Sequence, residues 1–160
     1  MSNFIIPKKL EVQQMLGMLY DGEIDVEESD VLSTDAGSKT RVAVYIDDND
    51  QPVCACTCDF PFTAYAGGAL TKIPKAGAEE AANNGDFSEM MLSNLNEVMN
   101  ICSRLFMSSK TPHLRLDKTY GTPDEAPETV TGMLSGTLAK AGFQVKIDGY
   151  GSGKLSFVAT

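Results

Sequence analysis

The sequence predicts an α+β fold, an antiparallel sheet with long helices packed on one face. Three observations point there. Stretches of alternating apolar and polar residues come in pairs joined by turn chemistry, at 41–58 and 143–159. A long amphipathic stretch, 87–108, lies between them. Strands and helices do not follow the strict βαβ order that a parallel sheet requires. With 160 residues, 42% of them hydrophobic, the chain reads as a single domain over 1–160 with enough apolar surface for a core.

Each element has its own signal. Pro7 can open a helix over 8–20, with Leu10, Met15, Leu16 and Leu19 on its apolar side and Gly22 as the stop. Residues 23–27 alternate acid and aliphatic, the period of a strand with one wet face, and their carboxylates would guard a sheet edge. Residues 31–40 are rich in Ser, Thr, Gly and Asp and read as a loop. Segments 41–46 and 53–58 are β-branched, aromatic or small, and the acidic turn between them makes a hairpin. A short helix is expected over 60–73, and 75–85 reads as a small-residue polar connection. Asp86 is then the expected N-cap of the 87–108 helix. Segment 114–120 reads as a strand and 121–127 as a loop. Val130, Met133, Leu134, Leu138 and Ala141 fit one side of a helix that Gly142 would end. Phe143, Val145 and Ile147, then Leu155, Phe157 and Ala159, alternate around a glycine-rich turn as a closing hairpin.

Composition narrows the function. The net charge is -9, from 13 Lys and Arg against 22 Asp and Glu. That argues against nucleic acid and against anionic membrane surfaces, because both need a basic footprint. No window reaches the ~18–20 apolar residues of a membrane span. The start lacks the basic and apolar pattern of a signal peptide, so reduced thiols in the cytoplasm are expected.

The 87–108 helix carries the chemistry. On a wheel, Phe87, Met91, Leu95, Val98, Cys102, Leu105 and Phe106 share an arc of about 100°. Ser93, Glu97, Asn100 and Arg104 form a stripe of about 60°, roughly opposite. A solvated helix face would look the same, and is the commoner case. The asparagines are the less ordinary feature. Asn94, Asn96 and Asn100 fall within seven residues, although Asn is a poor helix former.

Ser93-x-x-x-Glu97-x-x-Asn100, followed by 22 residues and Pro123, resembles the signature of the CheC/CheX-type chemotaxis phosphatases. The resemblance implies a CheC/CheX-like fold. It also implies a phosphatase acting on the phosphoaspartate of a response-regulator receiver domain, typically CheY. In that role Glu97 would dock by pairing with the receiver's active-site lysine. Asn100 would enter the receiver's site and orient the attacking water. Ser93, Arg104 and Pro123 would support the face, and magnesium would belong to the receiver, leaving this chain with no cofactor or metal of its own. The side chains suit the task, because phosphoryl transfer needs an in-line nucleophile and little covalent help. A neutral amide both donates and accepts, so it can hold water beside a phosphate without adding negative charge. Two-site members repeat the motif on their first helix. Here that helix offers only Glu11-x-x-Gln14, with Pro7 where Asp or Ser belongs, so one site is expected. A single motif in a short chain is similar to the CheX branch, whose members dimerise, so a homodimer is implied. A non-catalytic receiver-binding or scaffolding module of the same fold is the alternative.

Other groups read as structural. Cys54, Cys56 and Cys58 would share one side of a strand as small core residues; a soft-metal site is the rival reading. His113 stands without a partner for a triad or a metal centre, and the acidic run 47–50 lacks the glycine and distant glutamate of a calcium loop.

Overall fold

The structure, a computed structural model, describes residues 4–136 and 139–160. Helix α1 (Lys9–Gly17) leads into β1 (Ile24–Ser29). A hairpin follows, β2 (Thr40–Ile46) and β3 (Pro52–Asp59). Three helices come next, α2 (Phe60–Leu70), α3 (Lys75–Asn84) and α4 (Glu89–Cys102). The chain closes with β4 (Arg115–Tyr120), α5 (Glu128–Ser135), β5 (Ala139–Ile147) and β6 (Gly151–Ala159). The six strands form one sheet in the order β1-β5-β6-β3-β2-β4, antiparallel throughout.

Strand periodicity sorts the sheet into two faces. Ala43, Tyr45, Cys54, Cys56, Cys58, Phe143, Val145, Leu155 and Phe157 point to one side. There they meet Val12 and Leu16 of α1, Phe62 and Ala66 of α2, and Leu95, Val98, Met99 and Cys102 of α4. Tyr45, Phe106, Phe157 and Phe143 run through this core as tilted and edge-on rings, 5.4–5.9 Å between centroids. Val42, Val44 and Ala55 point the other way, to Val130 and Leu134 of the short α5. The long helices thus share one face, while α5 covers part of the opposite one.

Asp59 caps α2 by accepting from Phe62 N (2.9 Å), and Pro61 sits in the first turn, where no N–H is missed. Gly67 lets α2 and α4 meet closely: a Cβ there would lie 2.5 Å from Met91 O.

Four expectations need correcting. Residues 75–84 are a helix rather than a connection. Alanine is the best helix former, and Gly85 stops the helix in the left-handed region at φ 76°. Ser88, not Asp86, caps α4, accepting from Met91 N (3.2 Å), while Asp86 N is taken by Asn84 Oδ1. The helix expected from Val130 to Ala141 ends at Ser135, and Ala139, Ala141 and Gly142 belong to β5, paired with Ala159, Phe157 and Ser156. Leu138 lies outside the described residues. Continuous ladder bonds to β6 outweigh the local helical spacing there. The expected 87–108 helix also tightens into a 3-10 turn at Ser103–Phe106.

Candidate functional site

Helix α4 lies over β2 and β3, with Met91, Leu95, Val98, Met99 and Cys102 buried beneath it. Ser93, Glu97 and Asn100 are exposed on its outer side. Residues three and four apart on a helix have Cβ atoms about 5–6 Å apart, so a carboxylate and a carboxamide stand side by side on one rigid element. Arg104 is also exposed, but it sits on the 3-10 turn, where α-helical spacing no longer sets its direction.

The backbone under this pair is fixed from below. Tyr45 Oη, fully buried on β2, donates to Met99 O at 2.5 Å. Burial holds that phenol well above its ordinary range, so it is a donor at any physiological pH. Ser103 Oγ donates to Asn100 O at 2.7 Å. Two successive carbonyls at the outer turn are therefore engaged, which steadies the Asn100 Cα without touching its side chain.

The three asparagines take three different positions. Asn94 is buried and donates from Nδ2 to Gly67 O (2.8 Å) and Thr71 Oγ1 (2.9 Å), tying α4 to α2. Asn96 accepts from Thr119 Oγ1 (2.9 Å), tying α4 to β4. Among the described residues, nothing hydrogen-bonds the Asn100 carboxamide or pairs with the Glu97 carboxylate.

Pro123 opens a 3-10 turn after β4 and is buried. It borders an open depression of about 500 Å³ with residues of the 34–36 loop and α5; none of Ser93, Glu97, Asn100 or Arg104 lines that depression. At the first helix, Glu11 is committed to a cap, accepting from Lys8 N (3.0 Å).

The three strand thiols and Cys102 are wholly buried and free. Burial pushes Cys54 and Cys58 up to about 12, so both are neutral thiols at physiological pH. His113 lies at the surface 3.4 Å from Asp48, and Asp50 pairs with Arg115. Asp47 Oδ1 accepts from Asn49 N and Gln51 N, which accounts for the acidic turn as hairpin chemistry.

Sequence reading passed over Arg41. It lies on the helix-covered side of β2, opposite Cys58, and borders a groove between α4 and β4. Strand parity with Ala43 and Tyr45 was the signal that could have found it.

No family model and no curated protein matches the sequence. Solved structures do match. A chain of the FliG–FliM complex from H. pylori is 12% identical with a TM-score of 0.59, covering 94% of this chain and 85% of that one. A chain of the CheX–CheY–BeF3–Mg complex from Borrelia burgdorferi is 11% identical with a TM-score of 0.52, covering 94% and 97%. The chain has the CheC/CheX/FliM-type fold. FliY from Thermotoga maritima shares it, at 14% identity and a TM-score of 0.50 over 92% of this chain and 81% of that one. The CheC/CheX/FliM-type fold is thus matched over nearly the whole chain by chemotaxis and flagellar proteins alike. Among the described residues, no helix is long and apolar enough to cross a membrane.

Proposed function

We propose that this protein is a phosphatase that accelerates hydrolysis of the phosphoaspartate of a CheY-like response-regulator receiver domain in bacterial signalling. The observation that carries the reading is the uncommitted Glu97 and Asn100 pair on the outer side of α4, above a backbone held by Tyr45 and Ser103. Glu97 docks by pairing with a lysine of the receiver, and Asn100 enters the partner's site and orients water in line with the phosphoryl group. Ser93, Arg104 and Pro123 support the interface. The receiver brings the magnesium, this chain brings no cofactor, and the encounter takes place in the cytoplasm. The protein works as a homodimer, for which the β1 and β4 sheet edges are open.

The test is phosphate release from a panel of phosphorylated receivers of the same organism. Asn100→Ala should leave receiver binding near wild type and reduce the acceleration on the order of 100-fold. Glu97→Ala should weaken binding about tenfold and slow the reaction with it. A wild-type chain that leaves every receiver's phosphate lifetime unchanged ends the enzymatic reading.

A second reading, a non-catalytic binding module of the same fold, draws support from the FliM likeness, whose TM-score of 0.59 exceeds the 0.52 of the CheX complex. Tight receiver binding with an unchanged phosphate lifetime would select it.

A further inference from the structure

Beside the α4 stripe, between α4 and β4, lies a groove of about 290 Å³. Leu92, Ser93 and Asn96 form one wall and Leu116 to Thr119 the other, with Arg41 also lining it. Arg41 is half-buried. Its Nε is sealed from solvent and has no hydrogen-bond partner, and no described carboxylate pairs with its guanidinium. Because Nε is sealed, the donors open to a ligand in the groove are Nη1 and Nη2, and neither has a hydrogen-bond partner among the described residues. Asp117 and Lys118 both stand on the groove wall, and their opposite charges offset one another. Arg41 makes no direct ion pair; the Glu125 carboxylate stands near it across Gly121, and Ser93 and Asn96 line the groove beside it.

We infer that this groove is an oxyanion subsite, in which Arg41, the Ser93 hydroxyl and the Asn96 amide N–H, oriented by the Thr119 hydroxyl bound to its oxygen, hold a carboxylate or a phosphate. A planar guanidinium matches both anions with paired N–H donors. The site stands on its own geometry and holds whether or not α4 carries phosphatase activity. The anion comes either from a free oxyanion or from an acidic side chain of a protein docked along α4.

Two-dimensional 15N NMR of the full chain tests it, with titration by inorganic phosphate in one arm and by acetyl-aspartate amide in the other. At least one probe should shift the Arg41 Nε–H and the Ser93, Asn96 and Thr119 signals saturably. Saturation by phosphate alone assigns a free oxyanion; tighter saturation by the aspartate probe assigns an acidic chain. Arg41→Gln should weaken the response at least about tenfold, since a charge-assisted pair is lost. Asn96→Asp keeps the oxygen that Thr119 bonds and adds a negative charge, so it should weaken binding severalfold even if Arg41→Gln does not fold. The subsite is overturned if neither probe gives a saturable shift, or if the response is equal in wild type and Asn96→Asp.

Discussion

Asn94, Asn96 and Asn100 show how little a residue type says before its surroundings are known. All three sit on one helix within two turns, yet one is inside, one bridges to a strand and one faces outward with a free amide. Their stability effects should separate accordingly. Asn94→Ala leaves Gly67 O and Thr71 Oγ1 without their donor in a part-buried setting, so it should cost about 1–3 kcal/mol in urea unfolding. Asn100→Ala breaks nothing within the fold and should stay within about 0.5 kcal/mol of wild type. If Asn100→Ala proved as damaging as Asn94→Ala, the amide would be structural and its catalytic role would lose its basis. Tyr45→Phe keeps the ring but frees Met99 O; about 1 kcal/mol of stability should go. Any phosphatase activity should fall with it, because the turn bearing Asn100 loosens.

Between helices, the α2–α4 contact sets where the stripe points. Gly67→Ala drives a methyl into Met91 O and should lower stability by about 1–3 kcal/mol, seen as an earlier thermal midpoint. The α2 cap makes a pH-dependent claim. Burial raises the Asp59 carboxyl above its ordinary 3.8, although Phe62 N and Lys154 N both donate to it. A carboxyl raised on folding stabilises most when protonated, and that contribution is lost as pH climbs through the folded value. Asp59→Asn keeps the acceptor and removes the titration, so its stability relative to wild type should improve from about pH 3 to pH 7. A difference that stays flat across that range would show the carboxylate fully compensated by its donors. Element boundaries were where local signals misled. The alanines of α3 were legible as a helix and were passed over because their neighbours are small and polar. The strand that takes Ala139 and Ala141 was hidden, because its partner β6 lies beyond a turn and helical spacing alone cannot register it.

Across the whole molecule, the sheet divides the work between its faces. The long helices build one core around Tyr45, Phe106 and Phe157, while α5 and the 31–36 loop lie on the other side, where Leu32 N donates to Ser156 Oγ. The four cysteines belong to the helix-covered core. They should be inert to a thiol reagent in the native state and all react on unfolding, at a rate following global stability. Fast native labelling of any of them would mean that the core opens locally. Pro123 borders α5 residues in an open depression at the end of β4.

Periodicity was sufficient for the sheet hairpins, the apolar side of α4 and the outward set of Ser93, Glu97 and Asn100, because those follow from repeats of two and 3.6 residues within one segment. It could not say that Asn94 would turn inward, that Arg41 would lie unpaired beside the stripe, or that Pro123 would end up with α5. Those outcomes depend on which segments become neighbours after the chain closes on itself. Packing and hydrogen-bond satisfaction between distant stretches settle that, and neither is written in any one window of residues.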